Sequence, residues 1–202
     1  MKAKEVDLGI GKTSKIIVKR YRLTRILESW VEINTTVDKA WDALVDFESW
    51  AQWNSFIPVV RGELKVGNKM MIKVKSPGLR EMNFKPTIFE IERGKKVVWG
   101  GGAWYIGYKG IHEFIIEHID ENLVRFKQVE KFEGPIVLFM NEMIHKTAIG
   151  YVNMNEEFKD YGYVLSSGVI SPKHIPCQLA ACSFNRWCST GFRTSAMEAS
   201  LK

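Results

Sequence analysis

His112, Gln128 and Glu130 are the side chains whose types and spacing could do chemistry in this chain. All three lie in one stretch, Gly110 to Gly134, which reads as two strands joined by a short acidic turn. In the second strand Val124, Phe126, Gln128, Glu130 and Phe132 alternate with Arg125, Lys127, Lys131 and Glu133. Successive strand side chains take opposite faces, so the first set is expected inside. In the first strand His112, Phe114, Ile116 and His118 fall on the matching face. A carboxylate beside a histidine raises the imidazole pKa and orients its tautomer, which is how a general base is prepared. The same pair also reads as a buried polar couple that satisfies itself, fixes strand register or anchors a ligand. Gln128 adds a group able to hydrogen-bond a ligand carbonyl or hydroxyl.

Register decides whether these residues meet. A three-residue turn, Asp120-Glu121-Asn122, pairs Ile119 with Leu123 and keeps even positions opposite even ones. Slipping by one residue would set the charged face against the inward face, so register is well specified. It places His112 across from Glu130 and Phe114 across from Gln128. His, Gln and Glu among aromatics suit a cavity wall better than a dry core.

The remaining elements must position this hairpin. Ile26 to Ile33 reads as a strand with Leu27, Ser29, Val31 and Ile33 on one face. Thr35 or Thr36 can cap a helix over 37–47, and a short second helix runs from Trp50 to about Phe56. Strands then follow at Val59 to Leu64, Lys69 to Lys75, Phe84 to Glu92 and Lys96 to Gly101. Pro86 inside the third of these demands an edge or a bulge. A loop rich in Trp104, Tyr105 and Tyr108 leads into the hairpin. After Gly134-Pro135 the apolar period changes to three and four residues, predicting one long amphipathic helix to about Tyr161, with Gly162 as its stop.

Composition bounds the function. The chain has 202 residues and a formal net charge of +6. Residues 1–25 carry eight basic and two acidic side chains, whereas residues 26–161 carry seventeen and twenty. Basicity confined to the ends argues against nucleic-acid binding, which needs a basic patch on the folded surface. No apolar run is long enough to span a membrane, so no stable membrane insertion is expected. The three cysteines, Cys177, Cys182 and Cys188, all lie near the C-terminus, which fits a reducing, cytoplasmic compartment. With His174 they match no common zinc spacing, so no metal and no cofactor is expected. Gly9 to Thr13 lacks the earlier glycine and preceding strand of a phosphate-binding loop. No serine or cysteine of the body sits in a nucleophile motif.

Strand, two short helices, about six antiparallel strands and one long helix is an order in which a curled sheet buries its concave face under that helix. The chain here resembles the START-like, or SRPBCC, superfamily with the helix-grip fold, in its polyketide cyclase/dehydrase-like branch. The resemblance is carried by Val37 to Phe47 followed by Trp53-Asn54, and by Gly62-Glu63-Leu64 with Val66-Gly67. It continues through Lys85-Pro86, Val98-Trp99-Gly100, His112-Glu113-Phe114 and Phe126 to Gly134. It implies an α+β fold of about seven curved antiparallel strands around a C-terminal helix. Three segments follow: a solvated or loosely docked basic extension (1–25), the START-like domain (26–161) and an irregular tail (162–202). The helix of such proteins continues past the position of Gly162, so the tail departs from the pattern.

The resemblance also implies a deep apolar cavity holding a lipid, sterol, polyketide or similar small molecule. Expected ligand-binding residues are Trp53, Asn54, Trp99, Trp104, His112, Phe114, Phe126, Gln128, Glu130, Met140, Met143 and Ile144. Two functions are consistent with this. One is a non-enzymatic binder or carrier of a hydrophobic small molecule. The other is a cyclase/dehydrase- or hydrolase-like enzyme using His112 and Glu130 as acid–base groups. A pure interaction module would need the cavity filled by side chains.

Overall fold

The computed structural model describes residues 4–103, 105 and 107–166. Ten strands form two antiparallel sheets. The strands are β1 (Lys4–Asp7), β2 (Lys15–Arg20), β3 (Thr24–Ile33), β4 (Val59–Arg61) and β5 (Met71–Val74). The others are β6 (Met82–Phe84), β7 (Thr87–Glu92), β8 (Lys96–Ala103), β9 (Tyr108–Asp120) and β10 (Leu123–Glu133). The large sheet runs β1-β2-β3-β10-β9-β8-β7 and the small one β4-β5-β6. Two short helices, α1 (Val37–Val45) and α2 (Trp50–Trp53), separate β3 from β4. A 3-10 turn (Pro135–Phe139) leads into the long helix α3 (Asn141–Ser166). This α+β arrangement is the expected helix-grip fold.

Alternation makes the strands. In β3, Leu27, Ser29, Val31 and Ile33 are buried, as their spacing predicts. Outside, Glu28 lies between Lys19 of β2 (2.6 Å) and Lys127 of β10 (2.5 Å), joining three strands. Burial alone would raise the Glu28 carboxyl, but its hydrogen bonds to Lys127 and Lys19 outweigh that and hold it below its ordinary value. Thr36 caps α1 by accepting from the Lys39 backbone N–H (3.4 Å), and Asp38 sits in the first turn.

The expected extension over 1–25 needs correction. Residues 4–7 and 15–20 pair as strands onto the edge of the large sheet, and Ile16 and Val18 are buried in the core. Their short alternation is masked in the sequence by flanking lysines. Glu156 on α3 then fixes the connecting turn, accepting from both backbone N–H groups of Thr13 and Ser14 and from the Thr13 hydroxyl, each at 2.7 Å.

The strand expected from Phe84 to Glu92 is two strands in different sheets, broken at Lys85-Pro86. Proline has no N–H to continue the ladder, and β7 beyond it is an edge with a register shift between Ile88 and Glu90. The helix expected from Ile136 starts instead at Asn141, after the 3-10 turn, and it continues through Gly162 to Ser166. Residues 167–202, with His174 and the three cysteines, lie outside the described residues.

α3 packs on β2, β3 and both short helices. At Gly150 of α3 the Phe56 ring comes so near that a Cβ would run into it. Alanine ordinarily favours a helix over glycine by about 1 kcal/mol. Here Gly150→Ala is expected to lose roughly 1–2 kcal/mol net, because overpacking costs about 1–3 kcal/mol. Urea unfolding measures it, and a gain in stability would show that the helix is free to shift.

Candidate functional site

The β9–β10 hairpin keeps its expected register where it matters. Glu130 lies opposite His112 and Gln128 opposite Phe114. The turn is one residue tighter than expected. Leu123 faces Asp120, and an irregularity between Leu123 and Val124 then restores the even pairing at His118. A bulge of this kind absorbs one residue without turning the inward face outward.

From Phe114 to Ile116, and opposite them from Val124 to Gln128, the inner face is dry. Phe114 and Phe126 are fully buried and lie parallel at 6.4 Å, and Phe126 meets Phe158 of α3 at 4.6 Å. Trp53 is placed here too, stacked on Tyr161 (5.6 Å) and tilted against Phe158 (5.1 Å). Asn54 closes the end of α2: its Oδ1 accepts from the backbone N–H groups of Phe56 (3.1 Å) and Ile57 (2.8 Å).

Toward the other end of the hairpin the sheet and helix part to leave a cavity of about 430 Å³. β8 supplies Trp99 to Ala103, β9 Tyr108, Gly110 and His112, and β10 Glu130 and Phe132. Met143, Thr147 and Tyr151 descend from α3 at four-residue steps. Ile72, Val74, Met82 and Phe84 come from the small sheet, with Ser76, Lys85 and Pro86 from its loops and Phe56 and Ile57 from the segment after α2. The glycines of β8 leave space where other strands would carry side chains. At Gly110 a Cβ would stand 2.8 Å from the Tyr108 hydroxyl and 3.5 Å from Glu130 Oε1. Glycine there lets two polar groups share one corner of the cavity.

Four of the expected ligand residues therefore line this cavity: Trp99, His112, Glu130 and Met143. Trp53, Asn54, Phe114, Phe126 and Gln128 are buried beside it, Met140 is partly buried, and Ile144 borders a separate small cleft near β2. Trp104 lies outside the described residues. Tyr108, Tyr151 and the small sheet were not expected at the site. Their signals were the glycine run opposite them and the four-residue spacing of Met143, Thr147 and Tyr151.

His112 and Glu130 are both uncharged at rest. Burial pushes His112 down to about 3, outweighing a smaller opposing effect of the nearby Gln128 side chain. Burial pushes Glu130 up to about 8. The expectation that Glu130 would raise the imidazole is thus overturned, because both groups shed charge instead of pairing. Glu130 is partly exposed and lines the cavity, and no side chain among the described residues forms an ion pair or hydrogen bond with its carboxyl. Tyr108 is raised by burial first and by Glu130 second, so it too stays protonated. His112 lies almost parallel to Tyr151 (4.8 Å), with its Nδ1 3.5 Å from the Tyr151 hydroxyl. Among the described residues no three His, Cys, Asp or Glu side chains gather to hold a metal. No helix there is long and apolar enough to cross a membrane.

Known structures share this architecture. The chain is 13% identical to the Zhui aromatase/cyclase from Streptomyces sp. R1128, with a TM-score of 0.59 over 70% of this chain and 94% of that one. For a protein from Arthrobacter aurescens the identity is 16% and the TM-score 0.54, over 71% and 91% of the two chains. Norcoclaurine synthase from Thalictrum flavum, solved with dopamine and hydroxybenzaldehyde, gives 12% and 0.52 over 69% and 86%. Such identities speak for a common fold. No curated protein sequence matches the chain. Residues 24–153, which include every residue lining the cavity, match the family described as polyketide cyclase/dehydrase and lipid transport. The chain therefore belongs to that family, within the START-like, SRPBCC superfamily.

Proposed function

We propose that the protein binds a hydrophobic small molecule, lipid-, sterol- or polyketide-like, in the cavity between the sheet and α3. The observation that carries this reading is the cavity itself. Its volume of about 430 Å³ falls within the roughly 300–1,000 Å³ of small-molecule sites, far beyond a water site. Its walls are mainly aliphatic and aromatic, with few polar groups, as ligand sites are.

N-phenyl-1-naphthylamine, a neutral apolar fluorophore, tests this directly. Saturable binding to the full chain is expected, with Kd raised at least tenfold in Thr147→Phe, which fills the cavity from α3. Absence of binding, or binding indifferent to Thr147→Phe, would sink the proposal.

A second reading, a cyclase/dehydrase- or hydrolase-like enzyme, draws on Glu130 alone. A carboxyl titrating near pH 8 can exchange a proton at neutral pH. His112 stays neutral down to about pH 3, so in that reading it orients a ligand and is no base. Turnover lost in Glu130→Gln with fluorophore binding retained would favour the enzyme.

A further inference from the structure

The small cleft near β2 contains a positive charge that the fold leaves uncompensated. Arg25 lies on the inward face of β3, only 8% exposed. Its Nη1 donates to the carbonyls of Tyr21 (2.6 Å) and Thr24 (3.0 Å), which ties down the β2–β3 turn. Its Nε is buried with no partner. Arg20, its strand partner across the turn, adds a second cation on the same face. Burial, and after it the Arg20 charge, lowers the Arg25 pKa, yet a guanidinium keeps its proton. Among the described residues no carboxylate forms an ion pair with either arginine. Glu133 is engaged by Lys131 (2.8 Å) and Glu142 by Lys146 (3.2 Å). Buried charges are ordinarily paired, so this arrangement calls for an anion.

The start of α3 completes the cleft. Arg20, Arg25, Asn141 and His145 line about 20 Å³ of open space, room for one oxygen-sized group. The first N–H groups of a helix have no intrahelical acceptor, and the helix dipole favours negative charge there. Two guanidiniums beside such a terminus suit a phosphate oxygen. The surroundings indicate what carries the phosphate. The Gly134 N–H donates to the Leu23 carbonyl (2.9 Å), which sets the β2–β3 turn against the 3-10 turn before α3. Between them these turns expose Tyr21, Leu23, Leu138 and Phe139, the last of them 84% exposed. Arg20 and Arg22 are exposed among them. Apolar tips interleaved with basic side chains match the surface of an anionic bilayer, where apolar groups enter the acyl boundary and Lys or Arg meets the headgroups.

We propose that this face docks on an anionic phospholipid bilayer, with a lipid phosphate oxygen in the cleft between Arg20 and Arg25 and with Leu138 and Phe139 among the acyl chains. Docking is reversible adsorption, with no segment crossing the bilayer. It accounts for basic side chains of residues 1–25 that the cavity does not use, and Arg20 and Arg22 lie ahead of the family match at residue 24. It stands whether or not the cavity holds a ligand.

Co-sedimentation of the full chain with phosphatidylcholine vesicles, with and without about one-third phosphatidylglycerol at about 0.1 M salt, tests it. Binding is expected to be at least tenfold stronger with phosphatidylglycerol. One basic side chain near an anionic surface strengthens binding about fivefold, so Arg20→Ala, which also empties the cleft, is expected to lose at least that much. Phe139→Ser is expected to lose at least fivefold too. Both side chains are exposed, so neither change disturbs the core. Lys12→Ala removes the same charge from the turn that Glu156 holds, away from the cleft, and is expected to lose less than twofold. A wild type that ignores phosphatidylglycerol, or equal losses in Arg20→Ala and Lys12→Ala, would overturn the proposal. Inorganic phosphate, exchanged for chloride at equal ionic strength, is expected to raise the Tm of the wild type and leave that of Arg20→Ala unmoved. Stabilisation by phosphate without vesicle binding would overturn the bilayer as its source.

Discussion

Replacing Glu130 by Gln is expected to stabilise the protein at pH 8.5 and to do little at pH 4.5. In the native state the carboxyl holds its proton up to about pH 8, whereas the unfolded chain loses it near its ordinary 4.5. Between those values the folded state binds more protons, so wild-type stability falls as pH rises. His112 acts on the other side. Its folded pKa of about 3 lies below the ordinary 6.5, so its contribution is complete above 6.5 and is lost as pH falls toward 3. The two slopes oppose one another from 4.5 to 6.5. These two groups therefore define a plateau there, with declines on both sides. About 1.4 kcal/mol per pH unit sets a ceiling near 5 kcal/mol for Glu130. Water reaching its cavity side lowers the expected gain in Glu130→Gln to roughly 3 kcal/mol. Urea unfolding midpoints of the two proteins from pH 4 to 9 measure it. Parallel profiles between pH 6.5 and 8.5 would mean that the carboxyl is not held protonated.

Trp50→Ala is expected to cost about 3–5 kcal/mol, as truncation of a large buried aromatic does. Trp50 is wholly buried, and its indole N–H donates to the Leu44 carbonyl at 3.0 Å. Its ring meets Phe47 (5.3 Å), Trp53 (5.5 Å), Phe114 (5.8 Å) and Trp99 (6.2 Å). Truncation thus opens a void and strands a carbonyl at once. Trp99 forms part of the cavity wall, so N-phenyl-1-naphthylamine binding is expected to weaken at least tenfold. Trp53→Ala makes the contrast. It removes the stack on Tyr161 and the tilted contact with Phe158, on the dry side of the core, and is expected to destabilise while changing binding less than threefold. Denaturant titration and fluorophore binding of both variants decide the matter. A loss below about 1 kcal/mol for Trp50→Ala would refute its place at the centre of the core.

Both effects arise from residues whose types were visible in the sequence but whose surroundings were not. Alternation of Val124, Phe126, Gln128, Glu130 and Phe132 against charged neighbours was enough to place Glu130 opposite His112. The alternative register would have buried Lys127 and Arg125, and no turn chemistry could offset that. The three- and four-residue steps from Ile144 to Phe158 likewise determined α3 and its buried face. Local pattern was a poor guide where contact with a distant segment decides. β1 and β2 owe their place to the exposed edge of β3 and to Glu156, more than 140 positions away along the chain.

The hairpin itself divides along the same line. Its sequence by itself determined two strands, their inward residues and the pairing of His112 with Glu130, because a period of two and a cost for burying charge leave one register. Only the tertiary structure decided that the Phe114 end is dry and the Tyr108 end open, since that depends on Phe158 and Trp53 filling one and glycines vacating the other. It also decided that the pair carries no charge. Ionisation is set by how much water the whole surround excludes, a quantity that no short stretch of chain contains.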